Sequence, residues 1–178
     1  MLLRLVPGSI ALFDVELGRD PLANLAAALD VDRIVEWPPR KSEYDLDAIS
    51  FFRANLAAGA DPSWGAHYVI RDRVLVANAG FFGPPENSVL VDVGGTEMTV
   101  TEVEIGYSVC ELYRRQGIAA AVVGLLVSLA NARGVHSVRA RTKPDNVGSL
   151  RTLTANRFEQ VGVDGDGLVV FRRPTQQT

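Results

Sequence analysis

Residues 113 to 122 read Tyr-Arg-Arg-Gln-Gly-Ile-Ala-Ala-Ala-Val, with two arginines and a glutamine set against a glycine at the entrance of an apolar run. If that run is a helix, its first turn offers several unbonded backbone N–H groups where the helix dipole is positive. Such an end is a ready site for an anion. Gly117 lets the main chain approach a ligand closely, the small Ala119 and Ala120 leave room, and Arg114 and Arg115 add charge where phosphate oxygens would sit. Taken alone, an R-x-x-G-x-A match also fits two solvated loop arginines and a glycine that merely turns the chain. No Gly-Lys-Ser/Thr follows the glycine and no G-x-G-x-x-G occurs, so neither a P-loop nor a dinucleotide-binding turn fits.

A second chemical pattern lies just upstream. In the stretch TEVEIGYSV, Glu102, Glu104 and Ser108 share one strand face, opposite Thr101, Val103, Ile105, Tyr107 and Val109. Glu102 or Glu104 can take a proton from a nucleophile, directly or through water. The same alternation also describes a solvated sheet face. Cys110 beside apolar neighbours reads as a small buried hydrophobe rather than a covalent nucleophile. His67 and His136, each alone on a strand, read as packing or surface residues.

The elements that must position these residues follow from periodicity and turn chemistry. Residues 9 to 17 read as a first strand; Asp20-Pro21 then supplies a cap and a first helical position for a helix through Leu29. Trp37-Pro38-Pro39 breaks the chain. A second helix fits Leu46 to Ala58, with Leu46, Ile49, Phe52 and Leu56 on one face, Asp45 as cap and Gly59 as stop. The runs WGAHYVI and VLVANAGFF, split by Arg71-Asp72-Arg73, predict an antiparallel hairpin, ended by Gly83-Pro84-Pro85. Two further β-rich runs flank Gly94-Gly95. After them come the long helix from Gly117, ending near Asn131 with Gly134 as its cap, and a short strand in HSVRART stopped by Pro144. A helix capped by Asp145 or Asn146 follows through Ala155, and a last strand lies in GLVVFRR. This order implies an α/β (α+β) layer with one mixed sheet, the long helix crossing between two neighbouring strands.

At 178 residues the chain suits a single domain that buries about two thirds of its unfolded surface. With 18 basic against 21 acidic side chains the net charge is -3, which gives the whole molecule no electrostatic attraction to nucleic acid or an anionic membrane. One cysteine excludes an internal disulfide, and two distant histidines provide no metal-ligand spacing, so a reducing cytoplasm and no metal are expected. The start of the chain reads as a strand rather than a signal peptide. The most apolar run, 118 to 130, is too short to span a bilayer.

The stretch EIGYSVCELYRRQGIA, the helix after it, VRARTKPDNVGSL and FEQVG together resemble the GNAT superfamily of N-acetyltransferases across residues 64 to 173. They look most like the branch of ribosomal-protein N-terminal (alanine) acetyltransferases. Arg114, Gly117 and Ala119 match its R/Q-x-x-G-x-G/A signature, and Asn146 and Ser149 match its N-x-x-S pattern. The resemblance implies a mostly antiparallel mixed sheet, flanked by helices, whose two central strands splay apart around acetyl-CoA as co-substrate. It implies that the pyrophosphate rests on the N–H groups of Gln116, Gly117, Ile118, Ala119 and Ala120. Pantetheine would run along Val109 and Cys110 in the manner of an added strand, and Asn146 and Ser149 would approach the arm near the thioester. Glu104 becomes the favoured base, because the resembling pattern keeps a Glu before Ile-Gly-Tyr.

Two departures stand out: Leu153 occupies the position of a Tyr general acid, and Arg157 replaces the Gly before Phe158, with Asn156 expected to take the left-handed conformation instead. The implied activity is acetyl transfer to a primary amine in a ternary complex, by a monomer or homodimer with no nucleic-acid or membrane partner. The alternative is an acyl-CoA-binding regulatory module without turnover. Residues 18 to 60, with Trp37, Tyr44, Phe51 and Phe52, would form a helical acceptor-side segment, although such aromatics also suit a core.

Overall fold

The computed structural model describes residues 2–38, 43–91 and 95–176. Pro39, Gly94 and the side chains of Tyr44, Asp45 and Leu46 lie outside the described residues. Among the described residues eight strands form one mixed sheet in the order β1-β2-β3-β5-β6-β8-β7, with β4 paired to β5. The expected fold class is thus observed. The chain divides into two compact units, Met1–Gly80 with Tyr107–Ile118, and Phe81–Gly106 with Ala119–Thr178.

The first unit opens with β1 (Arg4–Pro7) and α1 (Ile10–Glu16), which corrects the strand expected over residues 9 to 17. The physical reason is local: Pro7-Gly8 ends the strand, and the Ser9 hydroxyl then accepts the Leu12 N–H at 3.2 Å, capping a helix that buries Phe13 and Glu16 three residues apart. Helix α2 (Pro21–Leu29) begins at the expected proline, although Asp20 sits at φ 49° and makes no side-chain cap bond. Helix α3 (Glu43–Ala57) starts ahead of the expected cap Asp45 and stops before Gly59, whose φ is 92°.

Strands β2 (Ala66–Arg71) and β3 (Val74–Phe81) form the expected antiparallel hairpin. Its two-residue turn holds Asp72 and Arg73 both at positive φ, 49° and 61°, the conformation that matches the twist of the flanking strands. A Cβ at Gly80 would lie 2.2 Å from the Gly65 carbonyl oxygen, so only glycine allows the close approach there. Phe13, Leu25, Leu29, Trp37, Ile49, Tyr68, Ile70, Leu75 and Cys110 make up this unit's core. Within it the buried Glu16 carboxylate accepts Trp37 Nε1–H and Tyr68 O–H, each at 2.6 Å. Trp37 is therefore a core residue, while Phe51 stays half-exposed with its ring edge-on to Phe52.

The second unit contains β4 (Glu86–Val91), most of β5 (Glu97–Val109) and of α4 (Ile118–Ala132), then β6 (Ser137–Thr142), α5 (Val147–Ala155), β7 (Glu159–Val163) and β8 (Val169–Pro174). Strands β5 and β6 are parallel, as the crossing helix α4 between them requires; β4–β5, β6–β8 and β7–β8 are antiparallel. Strand β7 was not expected from the sequence. It is an edge strand with all five residues exposed, so it carries no alternation to read.

One face of this unit's strands is apolar, with Val103, Ile105, Val138, Ala140 and Phe171 buried. The helices lie over that face: Arg173 of β8 donates to the Asn156 carbonyl at the end of α5 at 2.8 Å, and a Cβ on Gly124 of α4 would stand 3.6 Å from Asn156 Oδ1. Helix α4 buries Ile118, Val122, Val123, Leu126, Val127 and Ala130, a single stripe, and ends at Gly134 with φ 76°.

The end of α5 differs from expectation. Asn156 has φ -90°, and it is Arg157 that takes the left-handed conformation, at φ 61°. The Phe158 N–H reaches the Leu153 carbonyl and the Arg157 N–H the Thr154 carbonyl, the bond pair that satisfies a helix end when the residue after the cap is left-handed. That geometry needs positive φ at position 157, whatever residue stands there.

Candidate active site

The anion-binding candidate is built entirely on a short loop at the end of β5. Cys110 leaves the strand with its N–H bonded to the Val76 carbonyl at 3.0 Å, and its own carbonyl accepts the Tyr113 N–H at 2.9 Å, starting a single 3-10 turn over Glu111–Tyr113. Arg114 folds back, its Nε donating to the Val109 carbonyl at 3.1 Å. Arg115 and Gly117 then take left-handed conformations, φ 58° and 76°, and α4 begins at Ile118. Left-handed residues interspersed in a turn aim successive backbone N–H groups toward a common concavity, the arrangement that suits a phosphate. A Cβ on Gly117 would meet no atom within 4 Å, so the loop faces open space there and glycine is required by φ.

Five contacts that the sequence does not announce hold this loop. Glu36 spans its start, its Oε2 accepting the Leu112 N–H at 3.2 Å and its carbonyl the Cys110 thiol at 3.3 Å. Arg71, the last residue of β2, donates Nη1 to Gln116 Oε1 at 2.9 Å and lies 5.6 Å from the Tyr113 ring centroid. Gln116 in turn donates to the Leu112 carbonyl at 3.1 Å. No spacing rule links positions 36, 71 and 116, so only the folded chain brings them together.

Cys110 is fully buried, and burial together with the Glu36 charge pushes its thiol up to about 12. The peptide groups where pantetheine was expected are already engaged within the protein: the Val109 and Cys110 carbonyls and the Cys110 N–H all have partners. Each of those carbonyls keeps a second lone pair for a further donor. On the neighbouring strand position, Ser108 Oγ is the one side-chain oxygen or nitrogen among the described residues that is buried without a hydrogen-bond partner.

Glu102 and Glu104 do not lie on a solvated face. Glu102 is 3% and Glu104 10% exposed at the side chain, both within an ion-pair network on the face opposite the helices. The register sets it up: Glu104 stands opposite Arg139 on β6, and Arg139 opposite Arg172 on β8. Glu104 accepts from Arg139 at 2.7 Å and from Arg141 at 2.8 Å; Glu102 accepts from Arg172 at 2.8 Å and from Ser137 at 3.1 Å. Arg141 also reaches Asp164 at 3.1 Å, and these two carboxylates raise its pKa. The arginines alternate in VRART just as the glutamates do in TEVEI, the signal that two adjacent parallel strands could share.

Asn146 caps α5, its Oδ1 accepting the Ser149 N–H at 3.2 Å, so the two residues of the N-x-x-S pattern form one local unit. Leu153 is buried, 1% exposed, and brings no proton donor to its position. His67 is buried against the Gly65 carbonyl, whereas His136 is an exposed residue whose ring nitrogen bonds the Thr101 hydroxyl.

A family model described as acetyltransferase (GNAT) domain matches residues 16–159. No curated protein matches the chain. Among solved structures, the Campylobacter jejuni N-acetyltransferase PseH in complex with acetyl coenzyme A aligns with TM-score 0.60 at 15% identity, covering 98% of this chain and 100% of that one. Mycobacterium smegmatis RimJ in complex with CoA-disulfide aligns with TM-score 0.60 at 17% identity, over 97% and 81% of the two chains. An N-acetyltransferase from Staphylococcus aureus aligns with TM-score 0.58 at 13% identity, over 99% and 100%. At identities this low the likeness is one of fold.

Proposed function

The chain belongs to the GNAT acetyltransferase family, and we propose that it moves an acetyl group from acetyl-CoA to a primary amine, either a peptide N-terminus or a small-molecule amine, by direct attack in a ternary complex. The observation that carries this reading is the head of α4, where left-handed Arg115 and Gly117 precede a helix N-terminus beside open space. The N–H groups from Gln116 to Ala120 would hold the pyrophosphate, with Arg114 and Arg115 supplying charge. Val109 and Cys110 would run beside pantetheine, and Asn146 and Ser149 would serve the arm near the thioester. The acetyl coenzyme A in PseH and the CoA-disulfide in RimJ support the same donor here. In this reading residues 1 to 178 act as one acetyl-CoA-binding domain, with the helical residues 18 to 60 on the acceptor side.

In the reaction the neutral amine nitrogen attacks the acetyl carbonyl carbon, the C–S bond breaks, and the amine gives up a proton. Glu104 is the proposed acceptor of that proton, with Glu102, the more deeply buried of the two, as the second candidate. How much help the base must give depends on the pKa of the acceptor amine. An α-amino group, pKa about 7.7, is neutral about one part in six at pH 7, against about one in a few thousand for a lysine-like amine near 10.4. This arithmetic, with the Glu-Ile-Gly-Tyr and N-x-x-S patterns, favours the branch that acetylates protein N-termini. The leaving thiolate takes its proton from Ser149 or water.

The donor half of the reading is tested by Arg115→Ala, which is expected to weaken acetyl-CoA binding in a calorimetric titration; unchanged affinity rejects the phosphate site. A second reading, acyl-CoA binding without turnover, rests on the buried Leu153 where an acid would stand.

A further inference from the structure

Arg71 stands outside the loop that carries the anion-binding residues, yet it makes two of that loop's few anchoring contacts. It closes β2, 45 residues before Gln116 in the chain, and is only 21% exposed at the side chain. Its Nη1 holds Gln116 Oε1 at 2.9 Å while its guanidinium carbon sits 5.6 Å from the Tyr113 ring centroid. Gln116 can accept from Arg71 and donate to the Leu112 carbonyl only in one amide orientation, so the two contacts fix the side chain together. They clamp the one residue that lies between the left-handed Arg115 and Gly117.

We propose that Arg71 is a positioning residue for donor binding: it holds Gln116 so that the loop's backbone N–H groups stay aimed at the pyrophosphate of acetyl-CoA. The inference rests on the donor reading above. Holding Arg115 at positive φ costs about 1–2 kcal/mol, and the loop keeps that conformation only while its surroundings enforce it. The planar guanidinium can both stack on Tyr113 and bond Gln116, which an ammonium cannot do with the same geometry. Loss of Arg71 therefore acts on the part of the donor that carries phosphate and leaves the pantetheine contacts as they are.

The test compares ligands with and without pyrophosphate. CoA and pantetheine are titrated against the wild-type protein, Arg71→Ala, Arg71→Lys, Gln116→Leu and the Arg71→Ala/Gln116→Leu double variant, with thermal unfolding recorded for each. The expected result is a loss of CoA affinity of about tenfold in Arg71→Ala, the value of one charge-assisted bond, with pantetheine affinity unchanged. Arg71→Lys falls between, and the double variant loses less than the sum of the two single ones, because both remove the shared Arg71–Gln116 contact. Equal CoA affinity in Arg71→Ala and wild type overturns the inference, as does a parallel loss for CoA and pantetheine. If Arg71→Ala does not fold, additivity cannot rescue the idea, since Gln116→Leu alone must still lose CoA selectively. Wild-type protein that binds CoA no more tightly than pantetheine overturns the donor reading itself, and this inference with it.

Discussion

Glu104 and Arg139 stand opposite each other in the parallel register of β5 and β6, with Arg139 Nη2 2.7 Å from Glu104 Oε2. Arg141 binds the other oxygen, so the proposed base is held at both atoms. Glu104→Gln keeps the shape and one accepting oxygen, turns an NH2 donor toward the second guanidinium, and cannot take a proton. Turnover should fall by about 10²–10⁴ while acetyl-CoA affinity stays, measured by steady-state kinetics beside calorimetry. Glu102→Ala should instead lower stability by about 3–5 kcal/mol in urea unfolding, because it strands Arg172 and Ser137.

Arg115 and Arg157 both sit in the left-handed region, at φ 58° and 61°. Replacing either by glycine removes strain and should raise stability by about 1 kcal/mol. Arg157→Gly also relieves Arg173, whose pKa is lowered by burial and by the Arg157 charge. Only Arg115→Gly should lose acetyl-CoA affinity, about tenfold, so paired unfolding and binding curves separate strain from function.

Ser108 Oγ is buried with no partner, on the strand face that carries Glu104. Ser108→Ala should raise the stability of the free protein by about 1 kcal/mol. If the acceptor supplies the missing partner, the same variant raises the acceptor's KM and leaves acetyl-CoA affinity alone. A stability gain with both constants unmoved would remove Ser108 from the site.

Cys110 has its thiol pushed up to about 12 by burial and by Glu36, against about 8.5 in an unfolded chain. Between those values the unfolded state has lost a proton that the folded state keeps, so stability falls as pH rises from about 9 toward 12. Below about pH 8 the contribution is fully present. Cys110→Ala should lose less stability over that alkaline window than wild type, read from unfolding midpoints at stepped pH. Its turnover near neutrality should persist, since no thiolate is proposed in the reaction.

The features readable from sequence were those written locally. The β2–β3 hairpin announced itself through two apolar runs and Arg71-Asp72-Arg73, and α5 through Asn146 three residues before Ser149. Residues 9 to 17 misled because Ile, Leu, Phe and Val satisfy a strand as easily as a short helix, and the Ser9 cap decided it. Strand β7 offered nothing to read, being exposed throughout. The arginines around Glu102 and Glu104 come from 35 and 70 residues away, and Glu36 and Arg71 reach the α4 loop from other elements. The chemistry-bearing residues were visible, while the neighbours that hold them depended on strand register.

Free-thiol release from acetyl-CoA measures acetyl transfer to an amine most directly. The purified protein is assayed against a panel of peptides with free N-termini, polyamines and aminoglycosides, with the acetylated amine identified by mass spectrometry. Thiol release is expected to depend on an amine, to be strongest for an α-amino acceptor and to be reduced in Glu104→Gln. Saturable acetyl-CoA binding with no amine-dependent thiol release across the panel would contradict acetyl transfer and leave a binding module in its place.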